Sequence, residues 1–283
     1  MDINLHSESI KKLTNKEKEL KAQFSKIGTI ILLCSIVLEL LVLVISRGFI
    51  FAIIISSIVI LFFDLIFMVI YCEKKKTNFY FKEINKLVIE ILRYETNFDI
   101  TSKENQKEYI SDIKNTRFQD GDFINLNGAF DFNDGGICGT LFNATLSRSN
   151  GKTSYTTFSG VMVTFNVETK LDTQIRNDMY APFKLKKDRS ESSREVRVYL
   201  PRKSAGKYQK IVLECFNDLL KAFDVKSVGI DFRGNTGSFY VNYYTKMIKL
   251  NNISKDSIVA LCKLYIDCLN MAVDIKNKIE GDF

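Results

Sequence analysis

IGTIILLCSIVLELLVLVI (residues 27–45) and FIFAIIISSIVILFFDLIFMVIY (residues 49–71) decide the architecture. The first run is nineteen residues with Glu39 as its only charge; the second is twenty-three with Asp64 as its only charge. Each reaches the ~20 residues that a helix needs to cross a ~30 Å hydrocarbon core. In lipid, backbone amides must be bonded within their own segment, so both runs are expected as helices. Only Ser46, Arg47 and Gly48 separate them, which reverses the chain and builds nothing else. The expectation is an antiparallel helical hairpin over residues 27–71.

The flanks set its orientation. Lys11, Lys12, Lys16, Lys18, Lys21 and Lys26 lie in the basic segment 1–26, and Lys74, Lys75 and Lys76 follow the second run, whereas the turn carries only Arg47. Positive residues stay on the cytoplasmic side, so both termini are expected there. A cleaved signal sequence fits poorly, because the first run is too long and no small-residue cleavage site follows it. The whole chain has 283 residues, 40 Lys and Arg against 33 Asp and Glu, six cysteines and one histidine. His6 alone excludes catalytic triads and Cys–His pairs that need an internal histidine. No cysteines form a CxxC pair, so zinc and thioredoxin-type motifs are absent and no cofactor is expected. In a reducing compartment the six read as small buried hydrophobes.

Beyond the membrane the period stays helical. Phe81, Ile84, Leu87, Val88, Ile91 and Leu92 recur at helical spacing, and neither proline nor glycine interrupts Tyr71–Glu95. A helix over 72–95 is therefore expected to connect the bilayer to a cytoplasmic domain over 96–283. A short helix capped by Thr101 or Ser102 should reach about Asn115. From Asp122 the pattern alternates: strands are expected at Asp122–Asn133, Ile137–Arg148, Thr153–Glu168 (with a bulge at Gly160) and Glu195–Leu200. Ser149-Asn150-Gly151 is a hairpin turn, and Arg233–Gly237 should join strands at Ser227–Phe232 and Ser238–Thr245, with a further short strand at Met247–Leu250. Amphipathic helices are expected at Tyr208–Phe223 and from Asp256, capped by Ser254, to Ile279. Consecutive strands joined by short turns predict an α+β domain with an antiparallel sheet and helices on one side.

This order of features, with FKEINKLVIEIL (81–92), GDFINLNGAFDFNDGGICGTLFNATLS (121–147), FSGVMVTFNV (158–167) and VLECFNDLLKAF (212–223), resembles the bacterial membrane proteins filed as domain of unknown function 3137. The resemblance spans about residues 27–279; the basic stretch after Phe183 departs from it. It implies a bacterial inner-membrane protein with a cytoplasmic domain and supplies no catalytic residues.

Few residues invite a functional reading. Glu39 and Asp64 sit where a charge costs about 2.5–3.5 kcal/mol, and intramembrane acids often mark function. Two readings stay open: acids tolerated in a strongly apolar hairpin, or acids that associate helices. Asp120, Asp122, Asp131 and Asp134 lie near glycines but miss the calcium-loop spacing, and turn chemistry explains them. Glu168, Asp172 and Asp178 have no fixed separation that would make a hydrolytic pair. Between Lys184 and Lys210 ten basic residues face three acids. Lys184, Lys186, Lys187, Arg189 and Arg194 read as a long surface loop, either solvated or touching an anionic leaflet. Phe183 and Tyr199 are too few aromatics for a stacking platform, so no nucleic acid is expected. The partners expected are membrane lipids together with a protein partner or a second copy. The function expected is a membrane-anchored binding module, with a lipid-acting hydrolase or transferase as the rival.

Overall fold

The computed structural model describes residues 7–45, 49–103, 105–116, 118, 121–177, 186–188, 196–200, 207–225, 227–243 and 254–281. The first helix, α1, runs Ser7–Ile45 and returns as α2, Ile50–Phe79. Both are long and apolar enough to cross a membrane. Ring and side-chain contacts set the pairing: Phe24 meets Tyr71 edge-on with centroids 6.4 Å apart, and a Cβ at Gly28 would sit 3.4 Å from Met68 Cε. Outside this seam the large side chains, Leu33, Val37, Leu41, Phe62 and Phe63 among them, are exposed. That is the kind of surface that membrane-spanning helices turn toward lipid.

The basic segment 1–26 is more than a flank. From Ser7 it forms the first half of α1 and packs on the far end of α2 and the helical turns that follow it, burying Ile10, Leu13 and Leu20, with Lys16 Nζ 2.6 Å from Glu83 Oε2 and Leu13 beside Leu87. The spacing Ile10, Leu13, Glu17, Leu20, Phe24 alternates three and four, the pattern of a helix–helix seam. The hairpin therefore continues past the apolar runs as a two-helix stalk.

The helix α2 does not stop at the lysines. It passes through a π-helical turn, Tyr80–Ile84, into α3, Asn85–Glu95. A π turn inserts an extra residue and rotates the face that follows. Here Phe79 joins the larger core and Phe81 the smaller one. The domain is thus attached by continuous helix, as the uninterrupted sequence predicted.

The sheet comprises β1 (Asp99–Thr101), β2 (Phe123–Asn133), β3 (Cys138–Ser149), β4 (Ser154–Arg176), β5 (Lys186–Asp188), β6 (Arg197–Leu200) and β7 (Ser227–Asn242). It is antiparallel throughout, in the order β1-β2-β3-β4-β6-β5, with β7 paired to β4. The strands β4 and β7 are both bent. Gly160–Asn166 pairs with Asn242–Thr236, and after a register shift Leu171–Arg176 pairs with Gly234–Gly229. The two halves of β7 touch: Ser238 Oγ donates to Asp231 O at 3.3 Å, and a Cβ at Gly229 would fall on the Tyr240 ring. Hence β7 doubles back at its exposed residues Arg233–Thr236, where the sequence predicted a turn, and β4 wraps around that bend. Asn235 Nδ2 reaches Glu168 O across it at 3.5 Å.

Several local expectations are corrected. The helix α4, Gln106–Asn115, is capped by Asn105, whose side chain accepts from Lys107 N at 3.0 Å, because Thr101 already pairs with Asp131 in β1. Gly160 stays in register; the bulge falls at Leu146/Ser147. Helices cover both faces of the sheet, not one. On one face α3, α5 (Lys207–Ala222) and α6 (Lys255–Gly281) pack on Leu141, Val161, Val163, Phe165, Phe232 and Phe239. On the other, Tyr109 and Ile113 of α4 join Phe81, Phe142, Met162 and Tyr240. Strand alternation makes this possible, since odd and even positions of β3 and β4 each supply a core. The stretch Met247–Leu250 lies outside the described residues.

The helix–sheet junction is polar and tight. Asn85, buried at the start of α3, donates through Nδ2 to Ala129 O at 2.8 Å, and a Cβ at Gly128 would lie 2.7 Å from Asn85 Oδ1. On the same strand system Asn143 Nδ2 donates to Tyr265 Oη of α6 at 2.9 Å. The π turn and α3 therefore cross the open edge of β2 where β1 does not reach, which covers an edge that would otherwise pair with another chain.

Candidate functional site

The second face of the sheet carries a polar row. Thr101, Asp131, Thr140, Thr164 and Ser238 are successive cross-strand partners on β1, β2, β3, β4 and β7. Cross-strand partners face the same side, so the row is continuous. Thr140 Oγ1 donates to Asp131 Oδ1 at 2.6 Å, and Thr164 Oγ1 to Thr140 O at 3.4 Å.

Over this row the C-terminal end of α4 leaves a cleft of about 400 Å³, lined by Asp112, Asn115, Thr116, Thr140, Thr164, Asp231, Arg233, Thr236 and Ser238. Asp112 is held by Lys103, whose Nζ lies 2.8 Å away and 4.9 Å from the Tyr109 ring centroid. The bond to Asp112 raises the Lys103 pKa above its usual value. Asp231 is only 3% exposed, and its cross-strand partner Gln174 is wholly buried with neither side-chain amide atom bonded among the described residues. Arg233 supplies an exposed cation at the rim. Two carboxylates, one guanidinium and several hydroxyls converge, so the lining both donates and accepts. None of the lining residues is a thiol or an imidazole, and His6 lies outside the described residues.

The cleft sits at one end of the sheet. Its rim is the β7 bend, and the β3–β4 turn at Asn150–Thr153 lies nine residues along β3 from Thr140. Sequence reading did not find it. The residues are ordinary strand hydroxyls until the register of β3, β4 and β7 lines them up.

Of the residues singled out from sequence, Asp131 lies in the polar row and the others fall elsewhere. Asp64 and Glu39 both lie half-buried on the α1–α2 seam. They do not pair with each other; Asp64 is bonded by the Ser35 hydroxyl, which also lies 2.8 Å from Ile31 O. Glu39 is one helical turn along from Ser35 and has no bonded partner among the described residues. Asp134 accepts from Gly136 N and Ile137 N at 2.9 and 2.8 Å, which is turn chemistry, whereas Asp122 accepts across the strands from Ser149 N at 3.1 Å and Asp131 lies within β2 in the polar row. Glu168 N is bonded to Glu280 Oε1 at 2.8 Å, at the β4 bend; Asp120 and Asp178 lie outside the described residues.

The basic stretch is corrected in part. Lys186–Asp188 is not loop but β5, paired with Leu200–Val198 of β6, so Lys186 and Lys187 sit on an edge strand. Lys184, Arg189 and Arg194 lie outside the described residues. Of the cysteines, Cys215, Cys262 and Cys268 are buried as expected, whereas Cys34 and Cys138 are exposed. Burial pushes the Cys215 and Cys262 thiols up to about 12, far from a reactive thiolate. Comparison with protein-family models, with curated proteins and with solved structures found no match for this chain.

Proposed function

We propose that the protein is a membrane-anchored binding module, with the helical hairpin in the bacterial inner membrane, both termini cytoplasmic, and the polar cleft as its recognition surface. The observation that carries this reading is the unbroken passage from the apolar α2 through the π turn into the domain core at α3. A domain attached by continuous helix, with no flexible linker, is held at a fixed height above a bilayer. Lysines on both flanks and only Arg47 in the turn support the orientation. The bacterial inner membrane rests on the resemblance to domain of unknown function 3137.

A lipid-acting enzyme is the weaker reading. The cleft opens at the end of the sheet away from the β3–β4 turn, and α3 runs toward that same end: Arg93 Nε donates to Ile100 O at 2.6 Å, and Ile100 pairs with Phe132. A lipid would have to reach the side of the domain that points away from the hairpin. A soluble polar partner, such as an extended peptide segment or a second copy, meets the cleft without that detour.

Two experiments test the reading. A reporter active only in the cytosol should work when fused after Phe283, and one active only outside it should fail there; the reverse result ends the proposed orientation. Asn115→Arg with Thr236→Arg places two long cations at the exposed rim of the cleft, where surface changes cost within about 0.5 kcal/mol of stability. The intact protein isolated in mild detergent should then lose a bound component that the unaltered protein retains. An unchanged set of retained components would remove the cleft as the recognition surface.

A further inference from the structure

Among the described residues beyond the hairpin, the large hydrophobics left exposed are Tyr94, Phe123, Tyr155 and Leu220. Phe123 is 60% exposed and Tyr155 49%, and they stand at the same end of the sheet on opposite faces: Phe123 pairs with Ser147, and Tyr155 with the adjacent Arg148. The intervening turn adds the exposed Lys152. Two aromatic rings beside two cations therefore mark the β3–β4 turn end of the sheet.

The position of that end follows from the helix–sheet junction. Asn85 is bonded to Ala129, and α3 then runs along β2 toward Phe132. Traced backward from the same point, β2 reaches Phe123 after six residues, roughly 20 Å at 3.3 Å per residue. The helix covers that length in about thirteen residues at 1.5 Å each, which arrives near Cys72. A tilt between helix and strand of up to ~45° brings this level no further than Lys76. The β3–β4 turn projects further still, past Ser147 to Asn150. So the exposed aromatics stand at the level where the apolar run of α2 gives way to lysines.

We propose that the β3–β4 turn end, through Phe123, Tyr155, Arg148 and Lys152, rests in the boundary between headgroups and acyl chains of the same bilayer that holds the hairpin. Tyr155, with an apolar ring and a polar hydroxyl, favours this layer, the Phe123 ring adds apolar surface at the same level, and cations beside them meet anionic headgroups. The contact makes a third support beside the two helices, and it turns the cleft toward the cytosol. It rests on the membrane reading above.

The chain contains no tryptophan, so each substitution creates a single fluorescent probe. Tyr155→Trp, Phe63→Trp and Tyr94→Trp would be reconstituted as full-length protein in phosphatidylethanolamine–phosphatidylglycerol vesicles with acyl chains brominated next to the headgroup or at mid-chain. Phe63 lies on the exposed surface of α2 and Tyr94, 64% exposed, at the far end of α3. Tyr155→Trp should lose most of its emission to bromines next to the headgroup, Phe63→Trp to mid-chain bromines, and Tyr94→Trp to neither. Tyr155→Trp no more quenched than Tyr94→Trp, with Phe63→Trp quenched, overturns the surface contact alone. Phe63→Trp unquenched overturns the membrane hairpin and the contact with it.

Discussion

A chain carrying Gly160→Ala should lose about 3 kcal/mol of folding stability, the upper end of what overpacking costs. A Cβ at Gly160 would sit 2.0 Å from Val241 O and 3.0 Å from Asn242 Cα, so backbone and not a side-chain tip must move. That backbone is held on both sides: Ser159 N donates to Asn242 Oδ1 at 3.1 Å, and Tyr243 N to Ser159 O at 2.9 Å. Moving the β7 arm would also loosen Val161, Val163, Phe239 and Val241, which are all buried in the larger core. The control is Gly136→Ala, where the nearest atom to a new Cβ is Asp134 Oδ1 at 3.6 Å. Denaturant midpoints of the full chain in detergent should separate the two variants clearly. Equal midpoints would show that the β4–β7 pairing is looser than the register requires.

The features that sequence revealed are those encoded within one short window. Hairpin length, the Asn150-Gly151 turn, and the apolar faces of α5 and α6 each depend on residues a few positions apart. The helical continuity from α2 into α3 is also local, because nothing between Tyr71 and Glu95 breaks a helix. What escaped depends on register between distant segments. The first half of α1 was hidden by its lysines, although Ile10, Leu13 and Leu20 already carried a seam. The wrap of β4 around β7 needs the shift between Asn166 and Leu171, which no local pattern prints. The strands β1 and β5, three residues each, are too short to alternate. The cleft depends most on that register: Thr140, Thr164 and Ser238 are ordinary strand residues until three strands align them. Ser35 and Asp64 likewise meet only once the hairpin pairing is set.

The same buried helices that hide the thiols should make the fold sensitive to alkali. Burial raises Cys215 and Cys262 from 9.0 to about 12, with Lys278 partly opposing the shift at Cys215. Cys268, Tyr265 and Tyr243 are moved in the same direction, also by burial first. In the unfolded chain each thiol releases its proton near 9; in the folded chain it keeps it until about 12. Above pH 9 the unfolded state therefore binds fewer protons than the folded one, and stability falls as pH rises; below pH 9 these groups contribute no slope. Each thiol contributes about 1.36 kcal/mol per pH unit, so the pair removes about 5 kcal/mol by pH 11. That rivals the ~5–15 kcal/mol by which a typical domain is stable. Denaturant unfolding of the intact protein between pH 8 and pH 11 should show a flat region and then a steep loss. Cys215→Ala and Cys262→Ala should each flatten the slope above pH 9, whatever they do to stability at pH 8. A stability that stays level to pH 11, or a slope indifferent to both substitutions, would mean that water reaches α5 and α6 and that their packing on the sheet is far less dry than the buried thiols require.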